Sequence, residues 1–138
     1  MIDLGLPTVT RTGLDVIRLG PLQVLPSDHM ALANGRTLML SSRELDLLVQ
    51  LARHAGRILG REELSRLAWG RELRAGDRSV DVYVRKLRVK LESAAPEWQF
   101  IHTHVGFGYR LAPAHSQDAD PVFTDTRTGT GGPQPRGD

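Results

Sequence analysis

Apolar and polar positions follow three different rhythms along this 138-residue chain, and each predicts a different kind of element. Between Val16 and Leu40, short apolar stretches (Val16–Leu19, Leu22–Leu25, His29–Ala33, Thr37–Leu40) are broken by Gly20-Pro21, Pro26-Ser27-Asp28 and Asn34-Gly35. Turn residues at that spacing, with Asn-Gly between two runs as a hairpin signal, predict a small antiparallel sheet. The rhythm then changes. Ser41-Ser42-Arg43-Glu44 has the form of a capping box, with Ser41 as N-cap and Glu44 three residues on, ahead of Leu45, Leu47, Leu48, Leu51 and Ala52. A helix is expected from Ser42 to about Ala55, stopping at Gly56. A second, shorter helix opens at Gly60-Arg61-Glu62-Glu63, where early acids suit a helix N-terminus, and ends near Trp69-Gly70 with Leu64, Leu67 and Ala68 as its inner face.

The third segment carries the most information. Arg78 to Lys90 holds five cations and one acid, and at about 100° per residue Val80, Tyr83, Val84, Leu87 and Leu91 share one face. The opposite face presents Arg78, Val82, Arg85, Lys86 and Val89. Valines among cations gain nothing as solvated surface, but in a DNA major groove they can touch thymine methyls while Arg and Lys reach guanine edges. The plain alternative is a solvated basic face. Asp77 is placed to cap this helix, which is expected over residues 78–92. Asp81, four residues before Arg85, is explained by a local ion pair and the helix dipole. Beyond Pro96, Phe100–His104 and Phe107–Leu111 alternate as strands around Val105-Gly106. Valine disfavours positive φ, so a type II turn with Gly106 third is expected. Sheet, helix, helix, basic helix and hairpin in that order describe an α+β winged helix-turn-helix, with the basic helix for the major groove and the 100–111 hairpin, the wing, for the flanking backbone.

Composition sharpens this reading. Residues 113–138 carry four acids against Arg127 and Arg136, so the formal charge of +2 for the whole chain conceals +4 on the first 112 residues, concentrated on the basic segment. With almost no apolar residues, 113–138 is expected to be a disordered acidic tail, and 1–14 a flexible lead-in to one domain over 15–112. The chain has no cysteine, which removes disulfides, thiolate metal sites and cysteine nucleophiles. No signal peptide or bilayer-length apolar run is evident, and a cytoplasmic protein without membrane partners is expected. His102 and His104 lie two apart on a strand but lack further ligands for a metal site. Gly106-Phe107-Gly108 lacks the context of a dinucleotide fingerprint. No side chains suggest a catalytic triad, and neither an enzyme nor a cofactor is expected.

From Leu40 to Leu111 the chain resembles the DNA-binding effector domain of OmpR/PhoB-type bacterial response regulators. The resemblance rests on Leu40-Ser41 with Glu44, Gly56-Arg57, Arg61-Glu62 with Leu64, Trp69-Gly70, Arg78-Ser79-Val80-Asp81-Val82, Leu87-Arg88 and Gly106-Phe107-Gly108-Tyr109-Arg110. It extends to residues 16–40 as a four-stranded N-terminal sheet. It implies sequence-specific binding of double-stranded promoter DNA, often as head-to-tail pairs on direct repeats, in two-component (phosphorelay) control of transcription. By position it implies phosphate contacts from Arg61, Trp69, Arg78, Ser79, Tyr83, Arg85 and Thr103 and a base-facing Lys86. It also implies a loop presented to RNA polymerase over Arg71, Glu72, Leu73 and Arg74. Two departures bear on readout: Val105 stands where many members place a minor-groove arginine, and Lys86 where arginine is common, a point charge in place of a planar fork. At most fifteen residues precede the sheet, too few for a receiver domain of about 100 residues. The expectation is therefore a stand-alone regulator, monomeric in solution and paired on DNA, or an effector domain from a longer one. The competing classes are a winged-helix module that docks RNA polymerase or another regulator, and a nonspecific nucleoid or RNA binder.

Overall fold

The computed structural model describes residues 15–116. The segment 1–14 expected to be flexible, and the tail from 117 onward, lie outside the described residues. Four short strands, β1 (Ile17–Leu19), β2 (Leu22–Leu25), β3 (Met30–Ala33) and β4 (Arg36–Thr37), form an antiparallel meander in sequence order. Alternation sets its face: Leu22, Val24, Ala31 and Ala33 are buried while their neighbours point outward. Asn34 and Gly35 both have positive φ (54° and 76°), the requirement of a tight primed hairpin turn. His29, expected in a strand, is left-handed (φ 51°) after a single 3₁₀ turn at Pro26–Asp28, so β3 begins one residue later. β4 is also shorter than the Thr37–Leu40 expected. Leu38 still donates its N–H to Ala31 and turns into the core, but the Met39 carbonyl accepts from the Lys90 ammonium at 2.7 Å instead of joining the ladder.

Helix α1 (Ser42–Arg53) carries the capping box as read: the Glu44 N–H donates to Ser41 Oγ at 3.2 Å and the Ser41 N–H to Glu44 Oε1 at 2.8 Å. It ends two residues before Ala55, where His54 takes up a non-helical conformation. Leu47, Leu48 and Leu51 are fully buried and sit at the centre of the one core. Helix α2 (Arg61–Trp69) closes on Gly70 in the left-handed conformation, and α3 (Ser79–Ala94) buries Val80, Val84, Leu87 and Leu91. The inner face of α2 differs from the sequence reading. Leu67 is exposed, whereas Ser65 is buried and donates from Oγ to the Arg71 carbonyl at 2.8 Å. A polar side chain occupies a core position there because that carbonyl supplies its partner.

The wing is a three-stranded sheet, β5-β7-β6, in which β6 (Trp98–His104) and β7 (Gly108–His115) are joined by the expected turn. Gly106 has φ 84°, Val105 stays at negative φ, and the Phe107 N–H donates to the His104 carbonyl at 2.8 Å, in keeping with a type II turn. The two-residue β5 (Ile58–Leu59) is not legible in sequence; it pairs Ile58 with Arg110 and Leu59 with Tyr109. β7 continues through Pro113 to His115, three residues into the segment expected to be tail, because Trp98 pairs with His115 and their rings lie 4.1 Å apart.

One ion pair locks α3 against α1. Glu44 is 3% exposed and its Oε1 accepts from Lys90 Nζ at 2.7 Å. Burial alone would raise the Glu44 pKa, but the hydrogen bonds from Lys90 and the Ser41 N–H outweigh it and hold the carboxyl below its usual range. Lys90→Met leaves that carboxylate buried beside one remaining donor. Because the ammonium itself is partly in water, the expected loss is about 2 kcal/mol in urea unfolding, below the cost of severing a fully buried pair.

Candidate DNA interface

α2, the loop 71–77 and α3 form the helix-turn-helix, with the wing beside it. Asp77 does cap, but one residue outside the helix boundary: its Oδ1 accepts from the Ser79 N–H at 2.8 Å, with Arg78 as the transition residue. That backbone bond first, and then the Arg71 guanidinium, hold the Asp77 carboxyl below its usual range. α3 presents the face read from the helical wheel. Val82 and Val89 are 46% and 60% exposed, and Arg78, Arg85 and Lys86 are exposed around them. The other two cations of the segment are engaged internally. Arg88 donates to the Ile101 carbonyl and to Thr103 Oγ1, and Lys90 to Met39 and Glu44. Of the five cations in the segment, Arg85 and Lys86 have no internal anion among the described residues, and Arg78 is largely exposed while lying 3.6 Å from Asp81.

An aromatic cluster braces the middle of the face. Trp69 and Tyr83 meet edge to face at 5.3 Å, the Arg43 guanidinium lies 5.3 Å from the Trp69 ring, and Lys86 Nζ lies 5.0 Å from the Tyr83 ring. The Trp69 indole N–H donates to the Arg43 carbonyl at 3.2 Å, so it is already satisfied. Ser79 also faces inward: its N–H is taken by Asp77, and its Oγ is buried without a hydrogen-bond partner. Thr103 accepts from Arg88 yet is exposed, and its hydroxyl proton is left to donate.

Asp81 ties the three elements together. It accepts from the Tyr109 hydroxyl on β7 and from Arg61 Nε on α2 at 3.1 Å, and lies 3.6 Å from Arg78 Nη1. These partners replace the expected pair with Arg85. Burial pushes the Asp81 carboxyl up, and Tyr109, Arg61 and Arg78 more than reverse it. Tyr109 is pushed up to about 12, by burial first and then by its bond to Asp81. An open cleft of about 580 Å³ separates the first turn of α2 from the wing, flanked by Arg61, Arg66, Thr103 and Phe107. His102 Nε2 lies 2.8 Å from the Ala112 carbonyl, while His104 Nε2 accepts from Arg110 at 3.1 Å. Burial and then the positive charge of Arg110 lower the His104 pKa, favouring the neutral acceptor form. At the tip, Val105 and Phe107 are 86% and 76% exposed. In the loop, Arg71 pairs with Asp77 at 2.9 Å and Leu73 packs on the core, leaving Glu72 and Arg74 exposed.

Three helices, a four-stranded antiparallel sheet and a C-terminal hairpin in this arrangement define a winged-helix domain. Residues 35–111 match the family described as "Transcriptional regulatory protein, C terminal", and the chain belongs to that family, the OmpR/PhoB-type DNA-binding domains. Among its relatives, AfsQ1 of Streptomyces coelicolor, a transcriptional regulatory protein, is 35% identical over 117 residues, covering 82% of this chain and 52% of AfsQ1. PhoP of Bacillus subtilis, an alkaline phosphatase synthesis transcriptional regulatory protein, is 36% identical over 95 residues, 69% of this chain and 40% of PhoP. The chain thus spans about half the length, or less, of these relatives. Among solved structures, the DNA-binding domain of CpxR from E. coli superposes with a TM-score of 0.64 at 31% identity, covering 70% of this chain and 95% of that domain. The Klebsiella pneumoniae RstA DNA-binding domain in complex with the RstA box gives 0.63 at 36%, covering 70% and 96%.

Proposed function

We propose that this chain binds double-stranded promoter DNA sequence-specifically and regulates transcription, with α3 in the major groove and the wing along the flanking backbone. The observation that carries the reading is the outward face of α3, where Arg78, Arg85 and Lys86 surround two exposed valines on a helix otherwise anchored in the core. RstA, of similar fold, is a DNA-binding domain solved with its box. In this proposal Arg61, Arg78 and Arg85 take phosphates, Thr103 donates its free proton to another, and Lys86, Val82 and Val89 face bases. The cleft beside Arg61 and Thr103 gives the sugar-phosphate strand a path between α2 and the wing. Trp69 braces Arg43, because its N–H is satisfied internally, while Tyr83 braces Lys86 and its hydroxyl takes a phosphate. A contact from Ser79 requires its inward-facing groups to be released. Val105 and Phe107 make the wing tip apolar, so an arginine-type reading of minor-groove potential is not part of the proposal. Tandem pairing on direct repeats, a monomeric state in solution, presentation of Arg71–Arg74 to RNA polymerase, and action in the bacterial cytoplasm within a two-component system complete it. Among the described residues no helix is long and apolar enough to cross a membrane.

Paired variants test the division of labour. Arg78→Ala is expected to weaken every duplex alike and to lower the salt slope by about 0.9, the share of a single neutralised phosphate. Lys86→Ala is expected to relax base choice at one or two positions by about tenfold in anisotropy titrations. Equal, sequence-blind losses from both would remove the base-reading role. Binding that ignores salt would favour a protein-docking module instead.

A further inference from the structure

The base-facing surface proposed above is centred on two apolar side chains, and their placement specifies what they would read. Val82 and Val89 are seven residues apart, which puts them about 20° apart around α3 and about 10.5 Å apart along its axis. Both are exposed, and Arg78, Arg85 and Lys86 surround them. A β-branched side chain in a helix holds essentially one rotamer, so these methyls are fixed in space, unlike the long cations beside them. Lys86 is meanwhile drawn to the Tyr83 ring at 5.0 Å, which leaves the valines as the rigid outward features of the face.

In the major groove the only apolar group a base pair presents is the 5-methyl of thymine. We propose that Val82 and Val89 are specificity determinants that each pack on a thymine methyl, so that the preferred half-site carries two thymines two or three base pairs apart. The spacing follows from the axial separation, since base pairs rise about 3.4 Å each and a helix lying obliquely in the groove spans slightly fewer. The same geometry selects DNA over RNA, because uracil lacks the methyl and the A-form major groove is too deep and narrow for side chains to read. The inference rests on the DNA-binding reading above and adds the chemistry of the base edge.

The test uses the full chain and a duplex selected from a random library, with each thymine replaced singly by deoxyuridine. That change removes only the methyl and keeps pairing and the O4 acceptor. Two positions, two or three base pairs apart, should each weaken binding by about fourfold, the effect of one buried methyl group. Val82→Ala should make one of them insensitive to the replacement and Val89→Ala the other; both sites are exposed, and unchanged thermal melting would show that the variants fold. If either variant melts early, the spacing of sensitive thymines on the unmodified protein still decides. A specific site in which all thymines tolerate deoxyuridine, or in which sensitivity survives both substitutions, overturns methyl reading and leaves specific DNA binding standing. A library that yields no site overturns both.

Discussion

Gly108→Ala is expected to destabilise the domain by about 3 kcal/mol or more. Gly108 opens β7 at φ 141°, a conformation open essentially to glycine alone, and a Cβ added there would lie 2.1 Å from the Leu59 carbonyl oxygen. The obstruction is backbone on both sides, so no rotamer change relieves it, and β5 must part from β7. Gly106, two residues away at the tip, supplies the control. It too has positive φ (84°), but a Cβ there meets nothing within 4 Å, so Gly106→Ala should cost only the backbone strain, about 1 kcal/mol. Urea unfolding of the two variants separates close packing from local conformation. Equal losses would mean that the close approach of β5 to β7 does not hold the wing. The consequence for function is that the wing is held rigidly to the start of α2, since β5 leads through Gly60 directly into Arg61.

The second large effect is expected from Asp81→Asn, at about 2 kcal/mol. The substitution removes the charge that Arg61 and Arg78 share, while an amide oxygen still accepts from Tyr109. Asp81 is 23% exposed, and both arginines are at least half exposed, which keeps the cost below that of a fully buried pair. The pH dependence gives a signature. The folded pKa of Asp81 lies below its ordinary 3.8, so in acid the unfolded chain binds the proton first. Stability from this group is therefore complete well above 3.8 and is lost as pH falls through that value towards the folded pKa. Asp81→Asn should show a shallower loss of stability below about pH 5; an unchanged acid limb would mean that another carboxylate, Glu44 first, sets it. On DNA, two arginines without their internal anion should raise salt-dependent affinity for all duplexes. A wing no longer tied through a carboxylate to α3 should lower the ratio of specific to nonspecific binding.

What the chain discloses in one dimension and what it withholds divide along a physical line. The capping box at Ser41 and Glu44, the Asn34-Gly35 turn, the turn glycine Gly106 and the buried stripe of α3 are local patterns whose geometry depends on nearby residues, and each is found where the pattern places it. Helical periodicity likewise locates the exposed Val82 and Val89. Apart from the nearby Arg78, the partners of Asp81, Arg88 and Lys90 lie roughly 10 to 50 residues away, and nothing local to α3 distinguishes a cation that meets Ile101 or Glu44 from one that meets solvent. A tally of cations along the helix therefore overstates its basic face. β5 escapes because two residues cannot show a period, and its strand character comes wholly from pairing with β7. The extension of β7 to His115 has a similar cause, a cross-strand contact with Trp98 that composition cannot register. Ser65 takes the buried position expected of Leu67 because a carbonyl from the following loop satisfies the serine, a non-local event as seen from α2.

Selection of duplexes from a random library by the purified chain tests the central claim most directly, followed by titration of the selected site and a scrambled duplex at the same salt. Specific recognition through α3 predicts an enriched motif, bound at least about a thousandfold more tightly than the scrambled duplex, with two half-sites in direct repeat about one helical turn apart if the domains pair in tandem. No enrichment over the starting pool, with equal affinity for both duplexes, would contradict sequence-specific DNA recognition by this chain.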